Sequence, residues 1–138
     1  TEFGDVYSEM CVANARGLGS VLEGAGYRIL GAERGYTQTH QLIVDVTAAC
    51  PGELAARRGA DCGIFYSGAR MLGEIPPAEA SGIRLSLQEL TRRGFEPADM
   101  PRIGGLIDRA IRGTDPPDVI RTEVAHLMEG HDRVRYTF

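Results

Sequence analysis

Gln41-Leu42-Ile43-Val44-Asp45-Val46 is the stretch on which the fold turns. Large and β-branched apolar residues crowd it, and it runs out into Thr47-Ala48-Ala49, a pattern that predicts a strand over 41–46. Other short segments of the same kind lie around it. Tyr27 to Leu30 predicts a strand, with a turn rich in charge and glycine over 31–36. Gly63 to Tyr66 (GIFY) and Gly82 to Leu85 (GIRL) predict two more. Between these two, Ser67 to Ser81 carries glycine and proline with little periodicity and predicts a surface loop.

Helical spacing fills the rest. From Glu2 to Glu23, Tyr7, Met10, Cys11, Asn14, Leu18, Val21 and Leu22 recur every three or four residues, and Gly24-Ala25-Gly26 is the stop. Pro51 to Ala60 predicts a short helix with Pro51 in its first turn. Leu87 to Arg92 predicts one or two helical turns, ended at Gly94. Pro97 to Arg112 is amphipathic, with Met100, Ile103, Leu106, Ile107, Ala110 and Ile111 on one face and Gly113 at its end. A last helix is expected over Asp118 to Glu129. Arg133 to Phe138 alternates like a strand. The order α, β, β, α, β, β, α, α, β predicts a small α/β sandwich, its sheet mostly antiparallel with helices on one face. No boundary divides residues 1–138, so one domain is expected.

Composition narrows the function. With 43% apolar and 25% charged residues, the 138-residue chain is of globular type. A net charge of −4 argues against a general nucleic-acid or anionic-membrane binder. No apolar run approaches the roughly 18 residues of a membrane span. All 15 cationic residues are arginine, so chemistry needing a lysine amine, whether a Schiff base or a phosphate-loop lysine, is excluded from this chain. Cys11, Cys50 and Cys62 fit neither a CxxC pair nor a zinc finger, and are expected as buried reduced thiols. The chain opens Thr1-Glu2-Phe3 with neither initiator Met nor signal peptide. The expectation is a piece of a longer cytoplasmic protein.

Several constellations look like chemistry and fail on spacing. Gly17-Leu18-Gly19 with Gly24 and Gly26 suggests a phosphate loop but lies in a helix-periodic segment after no strand. His126 and His131 flank Glu129 at the wrong spacing for a metal pair and are expected to face solvent. His40, just before the 41–46 strand, is expected at a strand edge bonding a backbone carbonyl. Asp45 is a lone carboxylate in an apolar strand. A triad assembled from Ser67 or Ser81, His40 and Asp45 has no spacing to support it. Arg92 and Arg93 are expected as a solvated pair. Arg84, between Ile83 and Leu85, must reach solvent, pair with a carboxylate or await an anionic ligand. Its guanidinium suits a carboxylate through two parallel hydrogen bonds.

The run Ser81-Gly-Ile-Arg-Leu-Ser-Leu-Gln-Glu-Leu-Thr-Arg-Arg-Gly-Phe95, followed by Asp99-Met100, resembles the C-terminal domain of serine hydroxymethyltransferases. That family reads S-G-[IL]-R-[LI]-G-T-x-x-L-T-x-R-G-[FM] there. Glu2-Phe3 with Asn14-Ala15, Gly26-Tyr27-Arg28, His40 to Val46 and Gly63-Ile64 resemble other family segments in the same order. The resemblance implies the small domain of a fold-type I pyridoxal-phosphate enzyme interconverting serine and glycine with tetrahydrofolate. The cofactor would be bound mainly by a larger N-terminal domain, or a separate chain, that supplies the lysine. It also implies a homodimer of the complete enzyme, a small amino-acid substrate and, at Arg84, the grip on that substrate's carboxylate. This chain alone is expected to be inactive, and no catalytic, cofactor or metal residue is expected in it.

The family's G-I-x-[VL]-N-x-N becomes Gly63-Ile-Phe-Tyr-Ser-Gly-Ala69, so its asparagines are Ser67 and Ala69 here, which weakens the folate expectation. Gln88-Glu89-Leu90-Thr91-Arg92 and the ending Asp132 to Phe138 resemble a divergent branch that includes transaldolases. A folate-independent threonine transaldolase or aldolase is therefore an alternative. A non-catalytic interaction module kept from such an enzyme is another.

Overall fold

The computed structural model describes residues 2–75 and 79–136. Among these residues are five α-helices and a four-stranded sheet: α1 (Glu2–Gly24), α2 (Gly52–Asp61), α3 (Gln88–Arg92), α4 (Met100–Arg112) and α5 (Pro117–Met128), with β1 (Arg28–Ile29), β2 (Gln41–Asp45), β3 (Ser67–Ala69) and β4 (Gly82–Ser86). The strand order is β1-β2-β4-β3, and every pair is antiparallel.

Alternation in β2 and β4 divides the sheet into two faces. Leu42, Val44, Ile83 and Leu85 are at most 5% exposed and pack with Leu18 and Leu22 of α1, Ala55 of α2 and Ile103, Ile107 and Ile111 of α4. The residues between them, Ile43, Asp45, Arg84 and Ser86, stay half-buried or exposed on the opposite face. One face thus carries the helices and the other is open, the arrangement period-two patterning demands. A smaller cluster of Cys62, Leu106, Ala110 and Ile120 fastens α5 to α4. It is reinforced where Arg109 bridges Asp115 at 2.7 Å and Glu123 at 2.8 Å.

Close backbone approach sets two helix positions. A Cβ on Gly52 would meet the Gly82 carbonyl at 2.2 Å, so α2 starts directly on the β4 backbone. A Cβ on Gly104 would meet Val21 at 2.5 Å, which lets α4 lie tight on α1. The start of α4 is set by a reciprocal capping box, in which the Asp99 carboxylate accepts the Glu96 N–H at 2.8 Å. It opens as a 3-10 turn over Pro97–Asp99. Gly113 ends α4 at φ 64, a left-handed conformation that suits glycine.

Three expectations need correction. Gly63 to Tyr66 is not a strand. Those residues follow the end of α2 and fold back on it, with the Ile64 N–H donating to Gly59 O and the Tyr66 ring lying where a Gly59 Cβ would be. The chain is free to pair only from Ser67, so β3 falls inside the expected loop. Residues 76–78 of that loop lie outside the described residues. Arg133 to Tyr136 form no strand either, and Thr137 and Phe138 lie outside the described residues. This segment instead crosses the turn after α3. There Arg135 N–H donates to Arg92 O at 2.9 Å, and Tyr136 packs on Tyr7 with ring centres 5.2 Å apart. Finally, Pro51 is the residue before α2 rather than in its first turn.

Candidate functional site

The open face of the sheet centres on Arg84. Antiparallel register places it between Ile43 of β2 and Ser67 of β3. Its side chain points away from the core and is exposed, because Ile83 and Leu85 take the buried positions on either side. Among the described residues its guanidinium has no ion-pair or hydrogen-bond partner. Of the outcomes open to it, pairing with an internal carboxylate is thereby removed. Reaching solvent and awaiting an anionic ligand are the two outcomes left.

The nearest carboxylate in the sheet, Asp45, is already engaged. It pairs with Arg28 at 2.9 Å and accepts the Thr47 N–H at 3.0 Å and hydroxyl at 2.6 Å. Burial alone would raise its pKa, but the Thr47 and Arg28 bonds outweigh this and hold it below the usual carboxylate range. Asp45 and His40 stand at opposite ends of β2, roughly 16 Å apart at strand rise, so the triad does not assemble. Glu74 holds the segment leading into β4. Its carboxylate accepts the Ser81 and Met71 N–H groups, and bonds from Ser81 and Met71 lower its pKa.

The junction of β4 with α3 is fixed from below. Asn14 is fully buried and donates to Thr91 Oγ1 at 3.0 Å and to Phe95 O at 2.9 Å, while the Thr91 hydroxyl donates to Leu87 O at 2.8 Å. The sequence showed Asn14 only as one more inward position of a helix. A polar residue in an apolar stripe was the signal that it holds another element's backbone.

Other candidates resolve as structure. Gly17 and Gly19 lie within α1 against Met100 and the Tyr36 ring, not in a phosphate loop. All three cysteines are free and buried, as expected. His126 is exposed, but His131 does not face solvent freely. It stacks on Phe95 with ring centres 3.8 Å apart, and its Nδ1 lies 3.1 Å from Arg93 O. Arg92 and Arg93 both pair with Glu89, and Arg93 is half-buried. The His40 ring bonds no carbonyl among the described residues; its backbone carbonyl accepts the Leu87 N–H. No group of three metal-binding side chains occurs among the described residues. No described helix is long and apolar enough to cross a membrane.

This architecture is that of the small C-terminal domain of a fold-type I pyridoxal-phosphate enzyme. The chain superposes on an L-threonine transaldolase from Pseudomonas fluorescens with a TM-score of 0.81 and 26% identity, covering 99% of this chain and 31% of that one. In sequence it is homologous to serine hydroxymethyltransferases. It is 36% identical over 139 residues to that of Archaeoglobus fulgidus, covering 99% of this chain and 32% of the relative. The Thermoplasma acidophilum enzyme is 33% identical, with 99% of this chain and 33% of the relative covered. No family model matches the chain. The chain therefore spans about a third of the length of the curated relatives it matches. The resemblance seen in residues 81–95 extends over nearly all of it.

The residues present do not fit pyridoxal phosphate by themselves. Its covalent anchor in such enzymes is a lysine amine, and the sequence has no lysine.

Proposed function

We propose that this chain is the C-terminal domain of a serine hydroxymethyltransferase-like transferase, and that Arg84 holds the α-carboxylate of the amino-acid substrate. The carrying observation is an exposed guanidinium, unpartnered among the described residues, in the middle of the open sheet face, with Ile43 and Ser67 as its cross-strand neighbours. Such a group forms two parallel hydrogen bonds to a carboxylate and fixes its plane. Holding the carboxylate restricts rotation about the substrate's Cα, and so sets which bond is presented for cleavage. The lysine and the cofactor site belong to another domain or chain, the complete enzyme works as a homodimer, and this chain alone turns nothing over.

A second reading is favoured by one specific feature. Ser67 and Ala69 stand on β3 where the resembled family has asparagines, and Ser67 is the cross-strand neighbour of Arg84. The likeness to an L-threonine transaldolase agrees with it. On this reading the complete enzyme exchanges aldehydes on a β-hydroxy amino acid without folate.

The test begins with the mass of the natural gene product, to obtain the complete enzyme. Serine and threonine turnover are then measured with and without tetrahydrofolate. Folate-stimulated serine turnover supports the first reading, and folate-indifferent threonine turnover the second. Arg84→Ala removes a charge-assisted bidentate contact of about 2–4 kcal/mol, so KM should rise roughly 30- to 1,000-fold. Unchanged kinetics would overturn the carboxylate role and favour a non-catalytic module.

A further inference from the structure

A cavity of about 310 Å³ opens between the end of β4, α3, α5 and the segment after α2. Its floor is the core itself. Leu18, Ile103 and Leu106 line it and are otherwise 1–5% exposed. Val124 and Leu127 of α5 form one wall. At the mouth stands Phe65, which is 84% exposed, an unusual position for a phenylalanine beside an open core. The polar groups of the rim bring no free charge. Glu89 and Arg93 neutralise each other at 2.9 Å, and their pair is the polar edge of an otherwise apolar lining.

The dimensions and lining choose the ligand. A dry apolar cavity of about 150 Å³ accepts benzene, so twice that volume has room for two fused rings. An unpaired charge placed here would lose hydration with nothing to replace it. A flat interface would not need a depth that reaches Leu18 and Ile103, whereas a pocket with mostly apolar walls and one or two polar edge groups is the usual form of a small-molecule site. We propose that this cavity binds an uncharged aromatic ligand of one or two rings, or the ring portion of a larger molecule, with Phe65 closing on its exposed face. The proposal is independent of Arg84 and of the transferase reading.

The test is a methyl-detected NMR titration of the chain with indole. Saturable shifts are expected at the methyls of Leu106, Val124 and Leu127, and none at Leu72 and Ile75, which are exposed elsewhere. Val124→Phe, which fills the cavity, should weaken indole binding at least tenfold. Phe65→Ala keeps the test open if that variant does not fold, because Phe65 contributes little buried surface; it should weaken binding at least threefold. Shifts that do not saturate, or affinity unchanged in Phe65→Ala and in a folded Val124→Phe, would overturn the proposal. Movement of the same methyls with protein concentration alone, together with a dimeric mass, would show that a second copy fills the cavity and would also overturn it. Arg84→Ala should leave indole binding unchanged.

Discussion

Replacing Asn14 with alanine should be among the most damaging changes to a single polar side chain in this molecule. Asn14 is fully buried and gives both amide hydrogens away, one to Thr91 Oγ1 and one to Phe95 O. Each such bond is worth about 1 kcal/mol net, and leaving the buried Phe95 carbonyl without its donor costs about a further 1–3 kcal/mol. Against this, the Asn14 Oδ1 is buried without a partner, and its removal returns part of the loss. The balance is a destabilisation of about 2–3 kcal/mol. For a domain of this size that is a fall in Tm of roughly 10 °C. Urea unfolding followed by circular dichroism would measure it. Asn14→Asp should be no better than alanine, because a carboxylate cannot donate to the Phe95 carbonyl. A double-mutant cycle with Thr91→Val should give a coupling of about 0.5–1.5 kcal/mol. A loss under 0.5 kcal/mol in Asn14→Ala, or recovery in Asn14→Asp, would refute the reasoning.

Other outcomes follow from the same geometry. Gly52→Ala would set a Cβ at 2.2 Å from the Gly82 carbonyl and 2.7 Å from the Ala80 carbonyl. Both obstacles are backbone, so α2 must shift, and a loss of about 2 kcal/mol or more is expected in urea unfolding. Arg84→Ala should leave stability within about 0.5 kcal/mol of the parent, since the side chain is exposed and unpaired; a larger loss would show that it holds the sheet. Asp45, Asp115 and Glu123 all have lowered pKa values in the folded state. Their contribution is therefore full above the ordinary carboxylate range of about 4 and is lost as pH falls through the lowered values. Arg109→Gln, which frees Asp115 and Glu123, should flatten that acid limb in thermal melts from pH 7 to 2. Tyr27 and Tyr66 behave oppositely. Burial raises both phenols above the usual 10, first by desolvation and at Tyr27 also through Asp108, so the stability they add is present below pH 10 and is lost above it.

The parts of the fold that were legible in the sequence are those where local pattern and burial agree. Residues 41–46 alternate only weakly, yet their β-branched content and bounded length were enough to place β2. The face of α4 was readable because its apolar positions recur without interruption from Met100 to Ile111. The errors at 63–66 and 133–136 share one physical cause. Apolar alternation reports that side chains find cover, not that the backbone finds a partner strand. Ile64 and Tyr66 are covered by α2, and the 133–136 segment by α3 and Tyr7, so both satisfied the pattern without a ladder. His131 was misjudged because Gly130 hid its nearness to Phe95, a contact made across the fold. At the candidate site, Arg84 was legible as an anomaly between apolar neighbours. That it lacks an internal partner depended on Asp45 choosing Arg28, a pairing set by strand register that no local reading supplies.

The packing of α1 on α4 has a consequence for how the chain acquires its structure. Asn14 closes on Phe95 across 81 positions of sequence, and Tyr27 reaches Asp108 across the same span. During synthesis at roughly 5–20 residues per second, the apolar stripe of the first helix would wait on the order of 4–16 seconds for its cover. β2 likewise waits for β4, its central neighbour, while the shorter β1 has little to offer it. The nascent chain thus displays a sticky helix and an unpaired strand edge together, and final collapse comes late and all at once. Expression at lower temperature or with holdase chaperones should raise the soluble yield more than any change to the finished surface.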